Sequence, residues 1–353
     1  MGKQMTNEEL KKEGYKFVTM SELAKKIKES KGYKIPDYPF VPEGTWNMSV
    51  CGPYMWMGRQ RSGVEKDGIT RALSYQLRGV LMMTEKLVDY AASKGIEVGK
   101  LKKLILEAWK HLLLSEVSDS SGWTPKLVEV QYTENEVANA EQAIREVLND
   151  LKDLLPMDGR DYLVSTKSGK TEPANSSTTG TSTVSTLPIP FTVRAEKWET
   201  SVRKINENLF SLDIRAKRPA DGAVEISFDT PAKGLYYSAG SGEHIAVELP
   251  ADLKNNPALS LSNGFIYLNS GYSLIKDCSV EHLAATWKMK EQKLVFREEL
   301  NKNNPEMNMR FYLLKGGIND GLELANKLNT WPSYLVSFLK SGITYIKVTP
   351  EHI

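Results

Sequence analysis

Thr133-Glu-Asn-Glu-Val-Ala-Asn-Ala-Glu-Gln-Ala-Ile-Arg-Glu-Val-Leu-Asn-Asp-Leu-Lys-Asp-Leu-Leu155, followed at once by Pro156, is the stretch that decides the fold. Val137, Ala140, Ile144, Leu148, Leu151 and Leu155 recur at steps of three and four, which puts them on one face of a helix. Thr133 with Glu136 three residues on has the form of a capping box, so the helix is expected to start there and to end at Pro156. Working back, Leu77, Val80, Leu81, Thr84, Leu87 and Val88 form a second stripe, and Leu101, Leu104, Ile105, Ala108 and Leu112 a third. Breaks are expected at Gly95 and Gly99 and from Ser118 to Pro125. Three amphipathic helices with short connections predict a small bundle.

Working forward, Ser165 to Pro190 is mostly Ser, Thr, Gly, Pro and Asn, the composition of a linker. Beyond it the apolar period changes to two. Segments 210–216, 224–228, 244–249, 294–296 and 309–313 predict short strands, and 321–328 a short helix that stops near Pro332. Such strands predict an antiparallel sandwich. Ahead of the bundle, Phe17-Val18 predicts a strand, and Thr19 or Ser21 caps a helix running to about Glu29. The expected class is α+β and multidomain: a βα unit at 1–40, a Trp-containing loop and bundle at 41–160, a linker at 161–190, and a β-sandwich at 191–353.

Composition excludes several functions. The 353 residues carry 46 Lys and Arg against 44 acids, a net +2 that makes no electrostatic case for nucleic acid or an anionic membrane. No run approaches the roughly 18 apolar residues that span a bilayer, and no apolar leader opens the chain, so a cytoplasmic protein is expected. Cys51 and Cys278 fit neither a disulfide scaffold nor a zinc pair. His111, His244, His282 and His352 lack ligand spacing, and the glycine pairs lack a phosphate-loop register. Neither metal nor cofactor is expected.

Candidate chemistry gathers in two places. The loop from Pro42-Glu-Gly-Thr-Trp46 to Trp56-Met-Gly-Arg-Gln-Arg61 brings Glu43, Trp46, Trp56 and Arg59 close together in sequence. Indole faces pack on sugar C–H faces, while acids and guanidinium groups take the hydroxyls. The alternative is that Trp46 and Trp56 anchor the loop to the bundle. The second place is the end of the second helix, where Glu116, Asp119 and Trp123 cluster; Asp119 either binds a hydroxyl or ends a helix.

The order of these features resembles glycoside hydrolase family 57. Tyr15-Lys-Phe-Val-Thr-Met-Ser-Glu-Leu23 is similar to the helix that closes that family's distorted β/α barrel. Pro42-Glu-Gly-Thr-Trp46 resembles its Pro-Glu-Gly-Ser-Trp loop. Leu112-Leu-Leu-Ser-Glu-Val-Ser-Asp119 resembles its Leu-Leu-x-x-x-Ser-Asp-Trp bundle motif, although Ser-Ser-Gly separates Asp119 from Trp123. The opening segment also resembles the last unit of a polysaccharide-deacetylase barrel. Residues 14 to 155 carry the resemblance. It implies α-glucan processing, with polysaccharide or oligosaccharide bound by Glu43, Trp46, Trp56, Arg59, Asp119 and Trp123. Retaining hydrolysis needs two carboxylates about 5 Å apart. The family holds that pair on barrel strands upstream of this match, so a separate barrel polypeptide is the expected partner. The residues alone leave open a stand-alone glycan- or protein-binding scaffold that dimerises through its bundle, or a complete enzyme rebuilt around Glu43 and Asp119.

Overall fold

The computed structural model describes residues 6–29, 67–116, 127–155, 160–174, 182–183, 191–195, 199–216, 222–228, 235–239, 245–248, 259–261, 265–268, 270–280, 285–290, 293–300, 307–339 and 341–352. The chain divides into two compact units, Met1–Phe40 and Val41–Ile353.

In the first unit, helix α1 (Asn7–Lys12) starts from a capping box between Thr6 and Glu9. Helix α2 (Met20–Glu29) starts from Thr19: the Glu22 amide donates to Thr19 Oγ1 over 3.2 Å, and the Thr19 amide donates to Glu22 Oε2 over 2.7 Å. The expected strand at Phe17-Val18 does not form; residues 15–19 lie outside helix and strand. A strand needs a neighbour to hold its backbone groups, and none pairs with this segment among the described residues. Tyr15, Phe17 and Leu23 are exposed.

The second unit is built on three helices, α3 (Asp67–Ser93), α4 (Gly99–Ser115) and α5 (Leu127–Leu154). The expected stripes supply their core: Leu81, Leu87, Leu112 and Leu151 are fully inaccessible, each contributing about 2 kcal/mol on removal from water. Gly95, at φ +81°, closes α3 in a Schellman turn, with the Ile96 amide donating to the Ala91 carbonyl and the Gly95 amide to Ala92. Gly99 is not a break, because it is the first residue of α4. Thr133 is not the cap of α5. The helix begins six residues earlier, and Thr133 is buried within it.

Strands β1 (Asp161–Ser165) and β2 (Thr171–Pro173) form a hairpin inside the stretch expected as linker. The strand signal is Tyr162-Leu-Val164, which lies just ahead of the Ser- and Thr-rich run that begins at Ser165. Strand β1 pairs antiparallel with β16 (Ser333–Leu339), which pairs with β17 (Gly342–Lys347), giving the four-stranded order β17-β16-β1-β2. Tyr162, Val164, Tyr334, Val336 and Phe338 enter the same core as the helices. Gly79 lets them approach: a Cβ there would lie 2.2 Å from the Tyr334 hydroxyl. Residues 333–347, expected within a separate β-domain, are therefore part of the bundle's core.

Each of the five expected strand segments is a strand over its described residues. They belong to two further antiparallel sheets. One has five strands in the order β10 (Leu259–Leu261), β13 (Ala285–Lys290), β14 (Lys293–Leu300), β7 (Gly222–Phe228), β4 (Phe191–Ala195). The other has eight, in the order β3 (Ser182–Thr183), β5 (Glu199–Lys204), β6 (Leu209–Ala216), β15 (Met307–Lys315), β12 (Tyr272–Lys276), β11 (Phe265–Leu268), β8 (Leu235–Ala239), β9 (Ile245–Glu248). Partners directly opposite share a face. On one face of the eight-stranded sheet lie Leu209, Tyr312, Ile275 and Phe265, packed on helix α6 (Ile318–Ala325). Gly321 makes that packing close, because a Cβ would meet Ser273 Oγ at 2.3 Å. On the other face lie Phe210, Leu212, Ile214, Met309, Phe311, Leu313, Leu274, Ile266 and Leu268, all buried.

Candidate functional site

The helix-covered face of the eight-stranded sheet ends in charged residues. Asp213 on β6 lies directly across from Arg310 on β15. Arg310 Nε donates to Asp213 Oδ1 over 2.6 Å and Nη2 to Oδ2 over 3.2 Å, while Arg203 Nη2 on β5 donates to Oδ2 over 2.7 Å. Burial works against the Arg310 charge, yet the hydrogen bonds and charge of Asp213 hold its pKa above the ordinary value. Next to Arg310, Tyr312 donates its hydroxyl to Glu351 Oε2 over 2.9 Å. Burial first, and then the Glu351 charge, push the Tyr312 phenol up. Glu351 sits in a single 3₁₀ turn, Pro350–His352, after β17.

Asp277 follows β12 and is 2% exposed. Its Oδ1 accepts from Lys347 Nζ over 2.8 Å, from the Ser279 amide over 3.0 Å and from Ser279 Oγ over 2.5 Å. Burial alone would raise its pKa; the Lys347 charge and these hydrogen bonds outweigh it and hold the carboxyl below its ordinary value. Lys347 belongs to β17, so the ion pair ties the eight-stranded sheet to the four-stranded one. Gln76 Nε2 on α3 adds a tie to the helices, donating to the Ser279 carbonyl over 2.6 Å. Between them Cys278 is fully buried, its thiol pushed up to about 12 by burial. It behaves as an inert core residue.

A cavity of about 560 Å³ opens at this junction, within the few hundred to about 1,000 Å³ of small-molecule sites. Its apolar wall comes from Leu73, Leu77 and Val80 on α3 and from Val137, Ile144 and Leu148 on α5. The facing wall carries Tyr334, Tyr345, Asp277, Arg310, Lys347 and His352. Tyr334 and Tyr345 meet edge to face with ring centroids 6.2 Å apart. Glu141 and Arg145 of α5, an ion pair, also line it.

Compared with known proteins, the chain matches no family model and no curated sequence. Among the described residues no three His, Cys, Asp or Glu side chains gather as a metal site, and no helix is long and apolar enough to cross a membrane.

Glu43, Trp46, Trp56, Arg59, Asp119 and Trp123 all lie outside the described residues. Glu116 lies within them. Its carboxylate accepts from Ser74 Oγ and, over 2.6 Å, from Arg78 Nη2, so it ties the end of α4 to α3. His111 Nδ1 pairs with Glu136 Oε2 at 2.6 Å. Asp213, Asp277, Arg310 and Lys347 were not among the sequence candidates. On an alternating strand such as Leu212-Asp213-Ile214 a charged residue reads as solvent-facing, and no local pattern signals otherwise.

Proposed function

We propose that the protein is the bundle-and-sheet part of a cytoplasmic, family-57-like carbohydrate-active assembly, holding polysaccharide or oligosaccharide against a barrel that supplies the carboxylate pair. The observation that carries the reading is the first unit. Residues 15–19, outside helix and strand, carry exposed Tyr15 and Phe17 and lead into a capped helix with exposed Leu23, apolar surface of the kind that a partner would cover. The three-helix bundle, at the place in the chain where the resemblance expects one, supports it further. Glu43, Trp46, Trp56, Arg59, Asp119 and Trp123 would shape the glycan surface. The sheets also suit a sandwich: the apolar face formed by Phe210, Leu212, Phe311 and Leu313 is buried, and the five-stranded sheet is its natural cover.

The test is a fluorescence titration of the purified protein with a panel of α- and β-glucans. Saturable quenching by maltooligosaccharide, lost in Trp46→Ala, is the expected result. Unchanged emission across the panel contradicts the reading. A second reading, a stand-alone binding scaffold, is favoured by the cavity at the junction of helices and sheets.

A further inference from the structure

The geometry points to a binding site, independent of the glycan reading, for a neutral amphipathic small molecule carrying a hydroxyl or N–H donor, held in the cavity between α3, α5 and the β16–β17 hairpin. The size argues for a ligand and the lining argues for its chemistry. The wall of Leu77, Val80, Val137 and Ile144 takes an aliphatic or aromatic body. The facing wall is polar but electrically balanced. Each cation of the lining is already paired with a carboxylate, Arg310 with Asp213, Lys347 with Asp277 and Arg145 with Glu141. An anion entering this cavity would give up water for a site with no net positive charge to receive it.

Asp277 supplies the specific contact. Its three hydrogen bonds all converge on Oδ1, and Oδ2 takes none among the described residues. The side chain is almost wholly buried and lines the cavity. A carboxylate oxygen that takes no protein donor keeps its acceptor capacity for a ligand that enters the cavity. On the same wall Lys347 uses two of its three donors, on Asp277 and Ser279. His352 Nδ1 accepts from the Thr349 amide, which in the neutral ring places the proton on Nε2. The site therefore offers one strong acceptor and two donors at its polar end.

Two dyes of one scaffold test this, N-phenyl-1-naphthylamine, which is neutral and carries an N–H, and its sulfonate, 8-anilinonaphthalene-1-sulfonate. The full chain is expected to bind one equivalent of the neutral dye, at least about tenfold more tightly than the sulfonate. Val137→Phe and Leu77→Phe, which fill the cavity from two different helices, are expected to abolish binding while thermal unfolding stays cooperative. Absence of neutral-dye binding overturns the proposal. So does binding that persists in both folded variants, or a sulfonate that binds as tightly.

Discussion

The helical core and the charged junction beside it are both buried, but they are held in different ways. In the core, Leu81, Leu87, Leu112, Ile144 and Leu151 come from three helices, and any apolar side chain of similar volume would serve. At the junction, Asp213, Asp277, Arg310 and Lys347 depend on particular oppositely charged partners at hydrogen-bonding distance. The core tolerates exchange and sets the stability of the fold. The junction tolerates none without its partner, and it fixes how the sheets meet the bundle.

The largest expected effect attacks that dependence. Asp277→Ala leaves the half-buried Lys347 ammonium without its carboxylate and should cost about 3 kcal/mol in urea unfolding, whereas Asp277→Leu combined with Lys347→Met should recover much of the loss. A double variant no better than the single one would show that the junction is not a matched pair. Acid titration reads the same contact. The folded pKa of Asp277 is below its ordinary value of 3.8, so the stabilisation is complete above that value and declines as pH falls through the folded pKa. The acid slope of stability should flatten in Asp277→Asn.

In the core, Leu151→Ala should cost about 3 kcal/mol by the same assay, and Leu151→Met less than about 1.5 kcal/mol. A milder effect is expected at Gly95→Ala, about 1–2 kcal/mol for forcing a side chain into the left-handed region. The smallest concerns Cys278. In a Cys51→Ser background, a thiol reagent at pH 8 should leave native Cys278 unlabelled and label it once urea unfolds the chain; rapid native labelling would show that the junction opens readily.

The difference between the two regions also explains what could be read from residues alone. A helix stripe is local information, so Val137 through Leu155 declared itself. Thr133 misled because its capping-box partner, Glu136, is engaged with His111 instead. The hairpin β1–β2 was hidden because its first strand, Asp161–Ser165, is short and abuts the Ser- and Thr-rich stretch. Ser333-Tyr-Leu-Val-Ser-Phe-Leu339 has the alternation of a strand, with Tyr334, Val336 and Phe338 facing the core. What no local pattern could carry was its pairing with Asp161–Ser165, far away along the chain. The cavity was illegible for the same reason, since Val137, Asp277 and Lys347 meet only through that pairing and the sheet beside it. The loop residues that carry the glycan reading, Trp46 and Trp56 among them, lie outside the described residues and rest on the resemblance.

The claim that joins the two regions is that the terminal hairpin and the helices form one cooperative core with the cavity at its edge. Native-state amide hydrogen exchange measures this directly. Val164 and Val336 should exchange only through the same global opening as Leu148 and Leu151. If the two strand amides exchange through a separate opening of much lower free energy while the helices stay protected, the hairpin belongs to an independent domain and the shared core is contradicted.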